Sequence, residues 1–293
     1  MQAILITAYK NFHHIKYLID FFDDDFVFYI HICQKSIITK SELENITNDK
    51  RVIFITRKYS GNWGGLNQLE SILTLAEEAI KNQDIEYVHL MSGQDFPIRS
   101  CERIKYFLQE NKGKQFIRYA ELPIKDWKYN GGLGRLTYYH FYDLFNHKSM
   151  LGAMTNRALL LIQKIIRINR NISCLPKLYG GSAWWTLSLD CLKYIVAYKK
   201  INPLFWEKFK HTFAPGEMYI HTIIMNSPFK ENVVNNDLRF IEWVFRNGNS
   251  PANLDESDYD RIIESNKLFA RKIEYPISEK LMSRLRKLGE SKK

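Results

Sequence analysis

Cysteine is scarce in this chain and never closely paired. Cys33, Cys101, Cys174 and Cys191 contain no CxxC pair. That leaves no zinc-ribbon pattern and no evident disulfide framework, so four reduced thiols are expected. Long apolar runs are also missing. No stretch of about 18 apolar residues occurs, so no membrane-spanning helix is predicted. There is no low-complexity tract and no internal repeat. Acidic residues are outnumbered, 32 against 42 Lys and Arg, for a net charge of +10. Such an excess points to an anionic partner: nucleic acid, an anionic lipid surface or a phosphorylated small molecule. No RNA-recognition, zinc-finger or homeodomain pattern accompanies it, and no nucleic-acid partner is expected. Met1 to Thr7 reads as a buried strand rather than as a leader with a basic start and a cleavage site. The expected location is therefore the cytoplasm, with peripheral attachment at the inner face of the cytoplasmic membrane as an option.

What is present is enough for a substantial core. The chain has 293 residues and is 45% hydrophobic and 14% aromatic. Apolar runs at Ala3–Ala8, Phe26–Ile32, Arg51–Ile55 and Tyr87–Met91 alternate with helical spacing at Asn11–Phe22 and Leu66–Ile80. Strands alternating with helices predict an α/β fold with a mainly parallel sheet, whose ligands sit beyond the carboxyl ends of the strands. That rule singles out three stretches: Ala8–Phe12, Cys33–Ser36 and Ser92–Ile98. In the last, Asp95 is suited to orient a polar ligand or to close an Asx-type turn.

Further along, Trp127–Arg135 is an aromatic, glycine-rich loop. Arg157–Arg170 is a basic, apolar helix. It is expected to be a core helix with a solvated basic face, with an anionic membrane as the alternative. Trp184 and Trp185 are adjacent within a predicted strand, so one ring faces the core while the other is free to face a site. Thr212–Ile224 is a loop turning into a helix, with Pro215 at its start and Glu217 in the first turn. A carboxylate there meets the positive end of the helix dipole and is suited to general-base work. It is equally an ordinary helix-start residue.

Taken in order, the strand–SGQDFPI unit at Ser92–Ile98, Gly181-Ser-Ala-Trp-Trp-Thr-Leu187, Ala214-Pro-Gly-Glu217, Leu238-Arg-Phe-Ile-Glu-Trp243 and Phe269-Ala-Arg-Lys272 resemble the core-2/I-branching enzyme family, glycosyltransferase family 14. The resemblance runs from about Ile4 to Lys272. It implies a single GT-A-type, Rossmann-like domain over 1–293. Within it, about 1–115 would form a nucleotide-binding half and about 116–280 an acceptor and catalytic half, with a basic tail at 281–293.

The activity implied is inverting transfer of a sugar, N-acetylglucosamine or xylose, from a UDP-sugar without a metal or other cofactor. Glu217 falls on the general base. Lys272, with Arg271 beside it, falls on the diphosphate contact. Ala8, His31, Cys33, Lys35 and Asp95 fall on the donor side, and Trp184, Trp185 and Trp243 on the acceptor side. Ala214 and Gly216 stand where many relatives carry Ser and Asp, and Cys33 replaces an acidic residue. A further family arginine has no counterpart, with Arg246 or Arg271 as its substitute.

Asp23-Asp24-Asp25 and Asp258-Tyr259-Asp260 match a bare DxD pattern but read as solvated acidic surface, and no metal ligand is assigned. The acceptor expected is a glycan for surface polysaccharide or glycoconjugate synthesis, carried on a lipid at a membrane. A non-catalytic nucleotide-sugar- or glycan-binding module on the same fold is the alternative.

Overall fold

The computed structural model describes residues 1–290, with side-chain surroundings given through residue 288. The first half alternates as the sequence predicts, with one helix, α2, that it did not indicate: β1 (Gln2–Ala8), α1 (Phe12–Phe21), β2 (Phe26–Ile32), α2 (Lys40–Thr47), β3 (Val52–Thr56), α3 (Leu66–Ala79) and β4 (Tyr87–Ser92). A short β5 (Asp95–Pro97), α4 (Cys101–Glu110) and β6 (Gln115–Glu121) follow, then the one-turn helices α5 (Lys128–Gly131) and α6 (Gly134–Thr137) and the longer α7 (Met150–Ile165). The remainder is β7 (Tyr179–Ser188), α8 (Leu189–Ile201), α9 (Pro203–Phe209), α10 (Tyr219–Met225), β8 (Val233–Val234), β9 (Arg239–Ile241), α11 (Tyr259–Glu264), β10 (Phe269–Arg271) and α12 (Glu279–Glu290).

Seven strands form the main sheet in the order β3-β2-β1-β4-β7-β6-β8, and β5, β10 and β9 form a small second sheet. In the main sheet β7 alone runs against its neighbours β4 and β6, while the other pairings are parallel. Side-chain alternation along β1 sends Ala3 and Leu5 to one face, packed with α3, α8 and α10, and Ile4 and Ile6 to the other, packed with α1, α4 and α12. A sheet covered on both faces is why its strands read as continuous apolar runs. The mainly parallel, helix-flanked sheet is the arrangement of a GT-A-like fold. β2 and β4 lie on opposite sides of β1, so the chain reverses its winding there, the point where sheets of this kind place their ligand crevice, beyond the carboxyl ends of the strands.

Two expectations change. The basic tail at 281–293 is a helix through Glu290, with Leu281, Met282 and Leu285 buried against α1 and the 3₁₀ turn Glu256–Asp258. Its apolar residues recur at helical spacing, so a polar composition still yields one sticky face. Residues 291–293 lie outside the described residues. The second change concerns α7. Its inward residues are polar, Asn156 and Gln163, while Leu161, Ile162 and Ile165 face solvent. The expected core helix with a solvated basic face is inverted, because periodicity fixes that a helix has an apolar face but not which way that face points.

Candidate active site

The general-base candidate sits on a tight turn. Ala214 takes the left-handed conformation (φ 49°), and Pro215–Glu217 make one 3₁₀ turn. α10 begins only at Tyr219, so Glu217 precedes that helix rather than occupying its first turn. The turn is fixed from behind. Ala214 N–H donates to the Gly64 carbonyl at 2.8 Å, and a Cβ on Gly64 would lie 2.5 Å from the Phe213 ring. The loop carrying Gly64 is itself held by Asp143. The Asp143 carboxylate accepts from Leu66 N–H (2.7 Å) and Asn67 N–H, capping α3 from across the chain.

Arg135 supplies the partner that the sequence did not reveal. Its Nη1 lies 2.6 Å from Glu217 Oε2, and its guanidinium stacks 3.8 Å from the Trp127 ring centre. Arg135 is 9% exposed at its side chain and Glu217 35%, so the arginine is the buried partner and the carboxylate the accessible one. β7 passes directly beneath. A Cβ on Gly180 would lie 2.8 Å from Trp127 and 3.1 Å from the Glu217 carbonyl, and one on Gly181 only 1.9 Å from the Arg118 carbonyl.

The glycine pair therefore lets the backbone approach closely. Gly216 is different, because a Cβ there meets nothing within 4 Å. Gly181→Ala is expected to lower stability by about 1–3 kcal/mol through overpacking. Gly216→Ala should leave the denaturation midpoint nearly unchanged, and chemical denaturation of the pair checks the contrast. Open space at 216 also means that the Asp many relatives carry would fit without moving Glu217.

After the glycines β7 bulges: Ile117 pairs with Trp185 and Tyr119 with Gly181, so Ser182, Ala183 and Trp184 all face the single residue Arg118. Such a bulge re-aims side chains. Trp185 is fully buried in the core, which corrects its assignment to the acceptor side. Trp184 instead lies under the Arg271 guanidinium, 3.8 Å from its ring centre.

Arg271 is nearly buried and pairs with Asp95 at 3.3 Å, and burial pulls its pKa below the usual guanidinium range. Asp95 is itself buried. Its carboxylate also accepts from Ser92 N–H (2.7 Å) and the Ser92 hydroxyl. The structure thus gives Asp95 the turn-closing role and makes it the anchor of Arg271, rather than a group open to ligand.

Lys272 follows directly, half-buried. Burial, with the charges of Arg271, Lys148 and Lys10 around it, pulls its pKa down to about 8, against a smaller opposing effect of Glu274. Glu274 is already engaged by Lys10 (2.5 Å) and by the Gln94 amide (2.6 Å). Four cations converge here with their acidic neighbours committed, which is the electrostatic environment an anion would relieve.

The remaining donor-side residues lie at the strand ends but mostly inside. Ala8 is buried, and its carbonyl accepts from Cys33 N–H at 2.8 Å. His31 is buried, its pKa pulled to about 4 by desolvation, and its Nε2 accepts from Tyr59 N–H at 3.1 Å. It holds the loop after β3 in place. The Cys33 thiol points at the Gly61 carbonyl, 3.8 Å away. Lys35 donates to the Asn62 side chain at 2.9 Å.

Trp243 stands apart and exposed. It lines a cleft of about 370 Å³ with Arg118, Asn235, Asp237, Phe240 and Lys267. Arg239, in the same segment, is structural. It is buried and donates to the carbonyls of Leu90 (2.9 Å) and Trp185 (3.0 Å), tying β9 to β4 and β7.

Arg246 is paired with Asp255 (2.6 Å) and Asp258, as Arg271 is with Asp95, so both candidate substitutes for the missing family arginine already hold a carboxylate partner. Asp23 and Asp25 precede β2, at the opposite end of the sheet from the crevice, and share Lys105.

Two clusters therefore meet along β7. One is Glu217, Arg135 and Trp127 against Gly180, and the other is Trp184, Arg271, Lys272 and Lys10 beyond the bulge. A carboxylate that accepts a proton and a set of fixed cations that stabilise a departing anion are the two halves of a displacement reaction.

Residues 3–264 match the Core-2/I-Branching enzyme family. "Xylosyltransferase oxt" of Drosophila pseudoobscura pseudoobscura is 24% identical over 280 residues, covering 88% of this chain and 30% of that protein. "Xylosyltransferase 2" of Rattus norvegicus is 23% identical, covering 89% of this chain and 30% of the relative. "Xylosyltransferase 1" of Mus musculus is 23% identical, covering 95% and 29%. The chain thus spans about 30% of the length of these curated relatives. With the family matched across nearly its whole length, this chain belongs to the core-2/I-branching enzyme family.

Proposed function

We propose that the chain is a glycosyltransferase that moves a sugar from a UDP-α-sugar to a hydroxyl of a glycan acceptor, with inversion to a β-glycoside. The observation that carries this reading is the Glu217–Arg135 pair at 2.6 Å, held across Gly180 from the strand that carries Trp184 to Arg271. Arg135 binds one carboxylate oxygen, Oε2, and so orients the other, Oε1, toward the acceptor hydroxyl. As the hydroxyl oxygen forms its bond to the anomeric carbon, its proton passes to Glu217 and the bond to the UDP oxygen breaks. The electron pair leaves with the diphosphate, where Lys272, Arg271 and Lys10 meet the developing charge. Fixed cations in that position do the work a divalent ion does elsewhere, so no resident metal or cofactor enters the proposed reaction.

The loops after β1 and β2, joined by the Ser36 hydroxyl donating to the Tyr9 carbonyl at 2.8 Å, would cradle the nucleoside. Trp184 and the exposed Trp243 would offer ring faces to sugars. Xylose and N-acetylglucosamine are the donors to test, and the relatives' names put xylose first. A screen of UDP-sugars for UDP release, with and without oligosaccharide acceptors, is expected to show turnover with one of these two donors. UDP binding with no release from any donor would instead identify a non-catalytic binding module.

A further inference from the structure

α7 is built inside out for a helix of a water-soluble surface. Its inward face is held by amide hydrogen bonds. Asn156 Nδ2 donates to the Phe145 and Gly152 carbonyls, both at 2.8 Å, while Gln163 Oε1 accepts from Tyr139 N–H (2.8 Å) and Gln163 Nε2 donates to the Tyr139 carbonyl (3.0 Å). The outward face carries Leu151, Met154, Leu161, Ile162 and Ile165 at helical spacing, with Leu151 76% and Ile165 69% exposed. Exposed residues Ile166 and Ile168 extend it past the C-terminus. A contiguous apolar surface of this kind marks an interaction site rather than ordinary exposure.

Charge identifies the partner. The chain contains no Asp or Glu between Asp143 and Asp190, while Lys148, Arg157, Lys164 and Arg167 occur in and around α7, all of them exposed. Two copies meeting through this face would bring these like charges together. An anionic bilayer matches both components at once: aliphatic side chains enter the acyl boundary while the flanking cations stay with the headgroups.

We propose that α7 is a membrane-docking helix that lies flat on an anionic lipid surface. The docked face adjoins the cation cluster around Lys272. Lys148, two residues before α7, lies 6.0 Å from the Tyr9 ring and is among the charges that bear on Lys272. Docking therefore brings the cation cluster close to the lipid headgroups, which suits an acceptor carried on a lipid. The docking itself rests on no step of the proposed reaction and is read without turnover.

Flotation with phosphatidylglycerol-containing vesicles, set against pure phosphatidylcholine vesicles, tests it. The wild-type chain is expected to float with the anionic vesicles, less so at high salt, and not with the neutral ones. A Leu161→Glu/Ile165→Glu variant should stay at the bottom of the gradient. Removing Arg157, Lys164 and Arg167 together, each to Ser, should weaken vesicle binding on the order of 100-fold. All substituted positions are exposed, and an unchanged thermal midpoint confirms that the variants are folded. Failure of the wild type to float, or flotation of the glutamate variant equal to wild type, overturns the proposal. So does a wild-type dimer, by light scattering, that the glutamate variant converts to monomer.

Discussion

Glu217→Gln is expected to lower sugar transfer by about 10²- to 10⁴-fold, the range for loss of a positioned general base, while UDP binding stays near that of the wild type. The substitution suits the site. Gln keeps the shape of Glu, and its amide oxygen can still accept from Arg135 Nη1, now 2.6 Å from Oε2. Glu217→Ala would be a poorer probe, because it strands the nearly buried Arg135 without its counter-charge. A fall in activity could then reflect a collapsed wall rather than a missing base.

Single-turnover transfer and UDP titration calorimetry, run on the same Glu217→Gln preparation, separate the two effects. Undiminished transfer would remove Glu217 from the base role. Equal loss of transfer and of UDP binding would make it a structural support of the donor site. Arg135 then becomes informative. As a positioning residue it should, on change to Lys, lower the rate of the chemical step more than the affinity for UDP, because it touches Glu217 and not the cation cluster.

How far the sequence foretold this site depends on the kind of information each residue carries. Parallel strands buried on both faces leave long apolar runs, so β1, β2 and β4 are legible from the sequence, as are α1 and α3 from their helical spacing, whereas the mostly polar α2 is not. Trp184 and Trp185 are legible only as a pair. Alternation says that they part company, but which ring turns to the site is set by a bulge opposite Arg118, and a bulge has no periodic signature. Arg135 was invisible for a related reason. In sequence it is one more cation in a glycine- and aromatic-rich loop. Its significance comes from Trp127 beneath it and Glu217 beside it, contacts that only tertiary packing makes. His31 and Asp95 went the other way. Both lie at strand ends where ligands bind, yet both are buried and spend their polar atoms on Tyr59, Ser92 and Arg271. They shape the crevice from behind.

Lys272 offers the clearest pH-dependent test. Its ammonium is held to a pKa of about 8 mainly by burial, then by Arg271, Lys148 and Lys10. A lysine ordinarily keeps its proton to about pH 10, so this one becomes neutral within the range where enzymes are assayed. The sign follows directly. Below about pH 8 Lys272 is charged and attracts a diphosphate, and above it the attraction fades. UDP affinity should therefore fall as pH rises through about 8. Because a bound diphosphate favours the charged form, binding near and above that pH should take up a proton. Calorimetry in buffers of different ionisation enthalpy reads that uptake directly.

Two variants isolate the residue. Lys272→Met is expected to weaken UDP binding by about 10- to 100-fold, the worth of one charged hydrogen bond, and to abolish the pH dependence. Lys272→Arg keeps its charge throughout, so its UDP affinity should be nearly flat across pH 7–10. Lys272 is a better target than Arg271, whose removal would leave the buried Asp95 carboxylate without its 3.3 Å partner and confound binding with folding. A wild-type profile that stays flat through pH 8, or that Lys272→Met leaves unchanged, would move the diphosphate away from Lys272 and toward Lys10 and Lys148.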